Sequence, residues 1–281
     1  MSSSARPGAG GGFSVLMPVY WADRPDWVQA AFSSITESQE LPPDQVVLVR
    51  DGPVGPALGE LLHSLAELKE VSLVALPRNG GLTRALNAGL AACRFDTVAR
   101  QDADDVSTPE RFGLTVPLVR SGEFDLVGSA VREFDDSPDG EIVYGQVRSY
   151  PAQEEQIRRA AKRMNPIAHP TVVFRRSQVL SVGGYRDIFH MEDYDLWVRL
   201  LQAGARAINV PEPLVDYRVS TAGLRRRGGW KTLRAESAFQ RSLLESGFIN
   251  RPERLRNLIG RGALELAPPA VLRQVLKRTW R

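Results

Sequence analysis

Cysteine is nearly absent from this chain: Cys93 is the one thiol in 281 residues. A lone thiol excludes an intrachain disulfide framework and a cysteine-built zinc site, and it points to a reducing cytoplasm. No GxxxxGK[ST] phosphate loop, GxSxG elbow or HExxH pair occurs, which removes P-loop, α/β-hydrolase and zincin chemistry. The glycine run at Gly8–Gly12 precedes its strand instead of following it, so it is not a dinucleotide fingerprint. No window approaches 18 consecutive apolar residues, so no membrane span is expected. The opening MSSSARPGAGGG has no apolar h-region and reads as a disordered leader over residues 1–12, not a secretory signal.

Against these absences stand a hydrophobic content of 43% and a charged content of 25%, and the length suits one large globular domain or one domain with an appendage, here expected to be helical and basic. The net charge of +3 hides an asymmetry. From Arg225 onward there are 14 Lys and Arg against four Glu, so the preceding body is acidic. A basic extension over residues 221–281 suits an anionic surface.

Strand and helix patterns alternate through the first half. Apolar runs at Phe13–Val19, Asp44–Gly52, Val71–Pro77 and Asp96–Asp105 are each followed by a helical pattern. Runs with little alternation predict a mostly parallel sheet covered on both faces. The four strands end in Pro18-Val19-Tyr20, Arg50-Asp51-Gly52, Pro77–Gly81 and Asp102–Asp105. Open α/β sheets bind ligands outside the carboxyl ends of their strands, so these turns share one rim. Beyond them the pattern predicts a helix capped by Thr108, with Pro109 and Glu110 in its first turn, and a strand over Phe124–Phe134. Loops follow at 135–140 and 145–151, then a helix over 152–164, a short strand near Val172–Phe174, and helices closed by Gly183-Gly184 and by Gly204.

Several residues on this rim can carry chemistry. Asp102 and Asp104 can aim oxygens at one site, as Mg²⁺ or Mn²⁺ requires; a solvated acidic turn is the competing explanation, and Asp105 reads as a polar neighbour. Asp51 can accept hydrogen bonds from a base or ribose, or simply serve its Asp-Gly turn. Tyr20 offers a ring for stacking or covers the core. In MEDYDLWVRL, Glu192 and Asp193 occupy a first helical turn. That position fits either a general base or plain complementarity to the helix dipole, and spacing does not choose between them. Asp195 and Arg199 read as an exposed i, i+4 pair. His169 is structural or a contact to phosphate or acceptor.

Taken in order, MPVYWADRPDWVQAAFSSI, VVLVRDGP, LPRNGGLTRALNAGL, ARQDADD, HPTVVFRRS, GGYRD and EDYDLWVRLLQAGA resemble glycosyltransferase family 2 with its GT-A fold, over Phe13 to Val219. NPIAHPTVVFR, EDYDLWVR and RRRGGW are similar to the exopolysaccharide branch that includes amylovoran biosynthesis. The resemblance implies a GT-A domain over 13–220, a nucleotide-sugar donor, usually a UDP-sugar, a divalent Mn²⁺ or Mg²⁺, and a glycan or polyprenyl-linked acceptor. It implies that Pro18 and Tyr20 contact the base, that Asp51 bonds its N3, and that Asp102 holds ribose or assists the metal. Asp104 would bind the metal, Arg84 the nucleotide, and Asp193 would be the catalytic base with Glu192 beside it.

The chain departs from the family in three places. Arg50 stands where an acidic residue is common, Ser220 where a histidine is often found, and the QxxRW signature of processive synthases is missing. One sugar per encounter is therefore expected. The apolar residues Val271, Leu272, Val275 and Leu276 among Arg273, Lys277, Arg278 and Arg281 suggest a basic amphipathic helix, either packed on the body or lying on an anionic membrane. A cytoplasmic location is expected, with a peripheral position on the inner face of the membrane if the helix lies on the bilayer. Two rival classes are a nucleotidyltransferase and a non-catalytic nucleotide- or nucleic-acid-binding module. The first would show a glycine-rich phosphate loop after its first strand. The acidic rim opposes the second, because it repels a phosphate backbone.

Overall fold

The computed structural model describes residues 11–136, 141–219 and 230–265. Residues 1–10, the 225–229 basic run and the 266–281 tail, with their leader and amphipathic-helix expectations, lie outside the described residues.

Among the described residues nine strands, numbered in chain order, form one sheet in the order β3-β2-β1-β4-β8-β6-β9-β5, with β7 pairing β6. The first four are β1 (Phe13–Tyr20), β2 (Gln45–Asp51), β3 (Val71–Leu76) and β4 (Thr97–Arg100), all mutually parallel. Each connects to the next through a helix: α1 (Pro25–Ile35), α2 (Pro56–Ala66) and α3 (Leu82–Ala92). Their apolar runs are continuous because both sheet faces are covered. Leu16, Val47, Val49 and Val98 enter one core with α3, while Val15, Met17, Val46, Leu48 and Ala99 enter the other with α1 and α2. Residues adjacent along a strand thus point into opposite layers, and burial of each such Val or Leu contributes about 1.5–3 kcal/mol.

The rest of the sheet is mixed. β6 (Leu126–Asp136) pairs parallel with β9 (Ala207–Arg218) and antiparallel with β7 (Ile142–Arg148) and β8 (Val173–Arg175). β5 (Val106–Ser107) pairs antiparallel with β9. Two helices cover this half: α4 (Arg111–Arg120) in the layer of α1, and α7 (Glu192–Gln202) in the layer of α3. Between β8 and α7 the chain forms α6 (Arg176–Ser181), and before β8 it forms α5 (Glu154–Ala160) and a 3₁₀ turn at His169–Thr171. Two more helices follow, α8 (Trp230–Glu245) and α9 (Arg251–Glu265). Phe239, Leu243 and Ile249 bury against Met191, Tyr194 and Val198 of the α7 region.

Three local expectations are corrected. Thr108 does not cap a helix: α4 begins at Arg111, and Thr108 N–H donates instead to the Leu214 carbonyl at 3.0 Å, extending the β5–β9 ladder. The 145–148 segment is not a loop but the end of β7, whose side chains are largely exposed and so leave no apolar run to read. The Asp195–Arg199 pair is not on the surface. Arg199 reaches Asp195 at 2.6 Å and also donates to the Val182 and Gly184 carbonyls, so it ties α7 to the end of α6.

Candidate active site

The acidic turn after β4 is held from every side. Gln101 N–H donates to Leu16 O at 3.0 Å. Arg111, fully buried, donates to the carbonyls of Arg100 and Pro170 and to Gln101 Oε1. Asp105 is 1% exposed. Its Oδ1 accepts the Arg218 N–H at 2.8 Å and its carbonyl accepts from Gln101 Nε2. Burial, followed by the charges of Asp102 and Asp104, pushes the Asp105 carboxyl well above the usual range. It is therefore a structural group that fixes the turn to β9, a more definite role than that of a polar neighbour.

The first cation these carboxylates meet is a side chain. Arg100, 2% exposed at the end of β4, pairs through both terminal nitrogens with Asp102, whose own side chain is 27% exposed. A sequence reading misses this, because an arginine inside a strand-end run looks like a surface residue. Asp104 lies beyond that pair. Burial and the Asp102 charge raise its carboxyl to about 6. Asp23, in the β1–α1 turn, joins the same field. It accepts the Tyr20 N–H at 2.8 Å, and burial, opposed by that hydrogen bond and reinforced by Asp104 and Asp102, raises it to about 7. Its only sequence signal was an aspartate on the predicted rim.

A cleft of about 510 Å³ opens beside the turn, lined by Arg100, Asp102, Asn165, His169, Glu192 and Asp193 among others. Glu192 and Asp193 enter it because α7 starts there. The Asp193 carboxylate accepts from Asn165 Nδ2 at 2.6 Å and from Tyr194 N–H at 2.7 Å. Burial raises Asp193 against those two hydrogen bonds, and burial with the neighbouring Asp193 charge raises Glu192 to about 7. The Asp193 carboxylate is thus oriented by two donors. His169 is buried, 3.0 Å from Tyr185 Oη through Nε2 and edge-on to Trp197. Burial, then the Arg100 charge, depresses its pKa far below the usual imidazole range, so it presents a neutral ring.

The remaining predicted residues sit on the adjoining rim. Pro18 is buried in β1 opposite Val49, and Tyr20 is half-buried at the strand end, edge-to-face with the exposed Trp21. The Asp51 carboxylate accepts Gly80 N–H at 2.7 Å and Gly81 N–H at 2.9 Å, so it clamps the β3–α3 loop to the end of β2. That clamp needs Gly52, at φ +85°, where a Cβ would lie 2.4 Å from the Asn79 nitrogen. Arg84 is exposed and borders a separate open pocket of about 480 Å³ with Gly80, Asn87 and Asp187. The cleft thus joins Asp102, His169, Glu192 and Asp193, while Pro18, Tyr20, Asp51, Arg84 and Asp104 are not among its lining residues.

No group of three His, Cys, Asp or Glu in metal-holding arrangement exists among the described residues. A magnesium-type ion needs only one or two protein carboxylates when phosphates supply further oxygens. Asp104, raised by burial and by the Asp102 charge, and Asp102 beside it fit that modest donor set.

Residues 14–182 match the family described as Glycosyl transferase family 2. The chain is 36% identical over 241 residues to the amylovoran biosynthesis glycosyltransferase AmsE of Erwinia amylovora, covering 84% of this chain and 88% of that protein. It is 32% identical over 270 residues to the UDP-Gal:alpha-D-GlcNAc-diphosphoundecaprenol beta-1,3-galactosyltransferase of Escherichia coli, covering 96% of each. In fold it is similar to the mannosyltransferase PcManGT of Pyrobaculum calidifontis, solved in complex with GDP-Man and Mn²⁺. The TM-score is 0.63 at 18% identity, over 95% of this chain and 75% of that one. An acidic rim on a GT-A sheet, a matching family and relatives that span nearly the whole chain agree: the protein belongs to glycosyltransferase family 2.

Proposed function

We propose that the protein transfers one sugar from a UDP-sugar to a polyprenyl-linked glycan in cell-surface polysaccharide synthesis, with inversion at the anomeric carbon. The observation that carries this reading is the cleft itself, which brings the end of β4 and the start of α7 to one space. Asp193 takes the proton of the acceptor hydroxyl as the oxygen attacks the anomeric carbon, and Glu192 stands beside it. Asn165 and the Tyr194 N–H keep the Asp193 carboxylate aimed. The nucleoside diphosphate leaves on the side of the acidic turn. Asp104 and Asp102 would hold a divalent Mn²⁺ or Mg²⁺ there, which when bound supplies positive charge to the leaving diphosphate. Tyr20 and Pro18 form the base end of the donor site and Asp51 reads the base, while Arg84 reaches the nucleotide from α3. His169, neutral, offers a polar contact to the acceptor. The E. coli relative's name supports the UDP donor and the diphosphoundecaprenol-linked acceptor. A membrane-borne acceptor places the enzyme peripherally at the cytoplasmic face. Among the described residues no helix is long and apolar enough to cross a membrane.

A thermal-shift panel of nucleotide sugars with and without Mn²⁺ tests the reading. A UDP-sugar should raise the melting temperature only when Mn²⁺ is present, and Asp104→Ala should abolish the shift. Equal shifts with and without the ion, or an unchanged response in the variant, would overturn the metal assignment. Stabilisation by GDP-sugars alone would overturn the donor.

A further inference from the structure

The solvent face of α9 has no use in the reaction. Leu255 is 61% exposed and Ile259 is 63% exposed, one helical turn apart. Leucine and isoleucine at i and i+4 share a stripe, and Pro252 lies at its edge. Arg251 and Arg256, both exposed, flank the stripe on either side. The opposite face of the helix is committed. Asn257 is buried and donates to the Lys162 carbonyl at 2.7 Å and to Gln240 Oε1 at 2.9 Å. Glu253, the one acid in residues 251–260, pairs with Lys162. The outward face therefore presents two bulky apolar side chains between exposed arginines, of which Arg256 also donates to Asn257 Oδ1 at 3.0 Å and faces the Glu253 charge. Residues 266–281 continue the sequence with Arg273, Lys277, Arg278 and Arg281 and no acid.

The position of α9 gives this face a purpose. Its anchor, Lys162, precedes Met164 and Asn165, which line the cleft. The neighbouring α8 buries Phe239 against Tyr194, directly after Asp193. The helical pair thus lies against both segments that form the Asp193 side of the cleft.

We infer that the Leu255–Ile259 face of α9 is a docking surface for an anionic lipid bilayer, set so that a lipid-borne hydroxyl reaches the cleft. Apolar residues enter the acyl boundary while arginines meet the lipid phosphates, the arrangement of an interfacial helix. The purpose rests on the acceptor reading above; the binding does not, because it needs neither donor nor acceptor.

Co-sedimentation of the full chain with vesicles, without substrates, tests it. Wild type should pellet with vesicles containing phosphatidylglycerol and remain in solution with pure phosphatidylcholine. Leu255→Ser/Ile259→Ser should lower the partition constant by about tenfold or more, given the apolar surface withdrawn. Arg251→Glu/Arg256→Glu should weaken binding comparably, with the loss shrinking at high salt. Leu255 and Ile259 are exposed, so folding of the serine variant should persist, with Mn²⁺-dependent nucleotide shifts as in wild type. Binding of the serine variant at wild-type strength would overturn the inference and leave the 266–281 tail as the anchor. Self-association that the serine substitutions abolish, without vesicle binding, would also overturn it by assigning the face to a second copy. Loss of vesicle binding with intact nucleotide shifts separates this surface from the donor site.

Discussion

At the scale of single residues, the cleft assigns unequal work to two adjacent carboxylates. Burial raises both; in Asp193 two hydrogen-bond donors oppose it, whereas in Glu192 the Asp193 charge adds to it and brings the carboxyl to about 7. A base must be ionised before it can accept a proton, so Asp193→Asn should lower kcat by about 10²- to 10⁴-fold while the Mn²⁺-dependent nucleotide shift survives. Near-normal turnover in steady-state assays would remove Asp193 from the proton transfer. Glu192 carries a separate signature in stability. Its folded-state value lies above its ordinary 4.5, so the folded protein holds this proton more tightly than the unfolded chain. The favourable contribution is complete below about 4.5 and is lost as pH rises through about 7. Glu192→Gln should therefore be more stable than wild type at pH 8, by an increment that shrinks as pH falls below 7 and is gone below about 4.5. Urea titrations of both proteins across that window would read it, and a constant increment would contradict the burial of Glu192.

At the scale of elements, legibility followed how each segment is buried. β1 to β4 were readable because both faces of each are covered, which leaves continuous apolar runs. β9 was not: Pro211 and Pro213 interrupt it, and they are tolerated because they fall where the register with β6 shifts between Ser129 and Val131. β5 has two residues, too few for any periodicity, yet it moved the start of α4 from Pro109 to Arg111. The candidate site divides in the same way. Acidic residues at strand ends and at the start of a helix were legible from their positions. The pairing of Asp102 with Arg100, and the proximity of Asp23, depend on side-chain packing that no spacing encodes. The β3–α3 loop makes the point testable. The Asp51 carboxylate holds the N–H groups of Gly80 and Gly81 before any nucleotide arrives. Asp51→Ala removes two charge-assisted hydrogen bonds made by a buried carboxylate and should cost about 1–3 kcal/mol of stability in the absence of ligand. A carboxylate that only reads a base would leave the ligand-free melt unchanged, so differential scanning calorimetry without nucleotide distinguishes the two roles.

At the scale of the whole molecule, the rim proposed to hold the donor and the side proposed to accept the proton are built by different parts of the chain, joined by the core that β1, β2, α3 and α7 share. The rim belongs to the parallel half of the sheet, whose two cores are large and continuous. The Asp193 side depends on a smaller core in which α8 supports the start of α7. Phe239, 1% exposed, packs 4.7 Å from the Tyr194 ring, and Tyr194 in turn donates its hydroxyl to Ala161 O at 2.7 Å. Tyr194 follows Asp193 and supplies one of its two hydrogen bonds, so looseness in this core is transmitted to the base through a single peptide. Truncation at Phe239 should therefore act unequally on the two halves. Phe239→Ala should cost about 3–5 kcal/mol of stability, as for a large buried aromatic. In the fraction that remains folded, kcat should fall while the donor KM stays near wild type, because β1 to β4 and the acidic turn do not touch this cluster. Phe239→Leu keeps the site apolar and should restore most of the rate. A parallel rise in donor KM would mean that the two halves are mechanically coupled through the core that β1, β2, α3 and α7 share, against which Phe248 also packs.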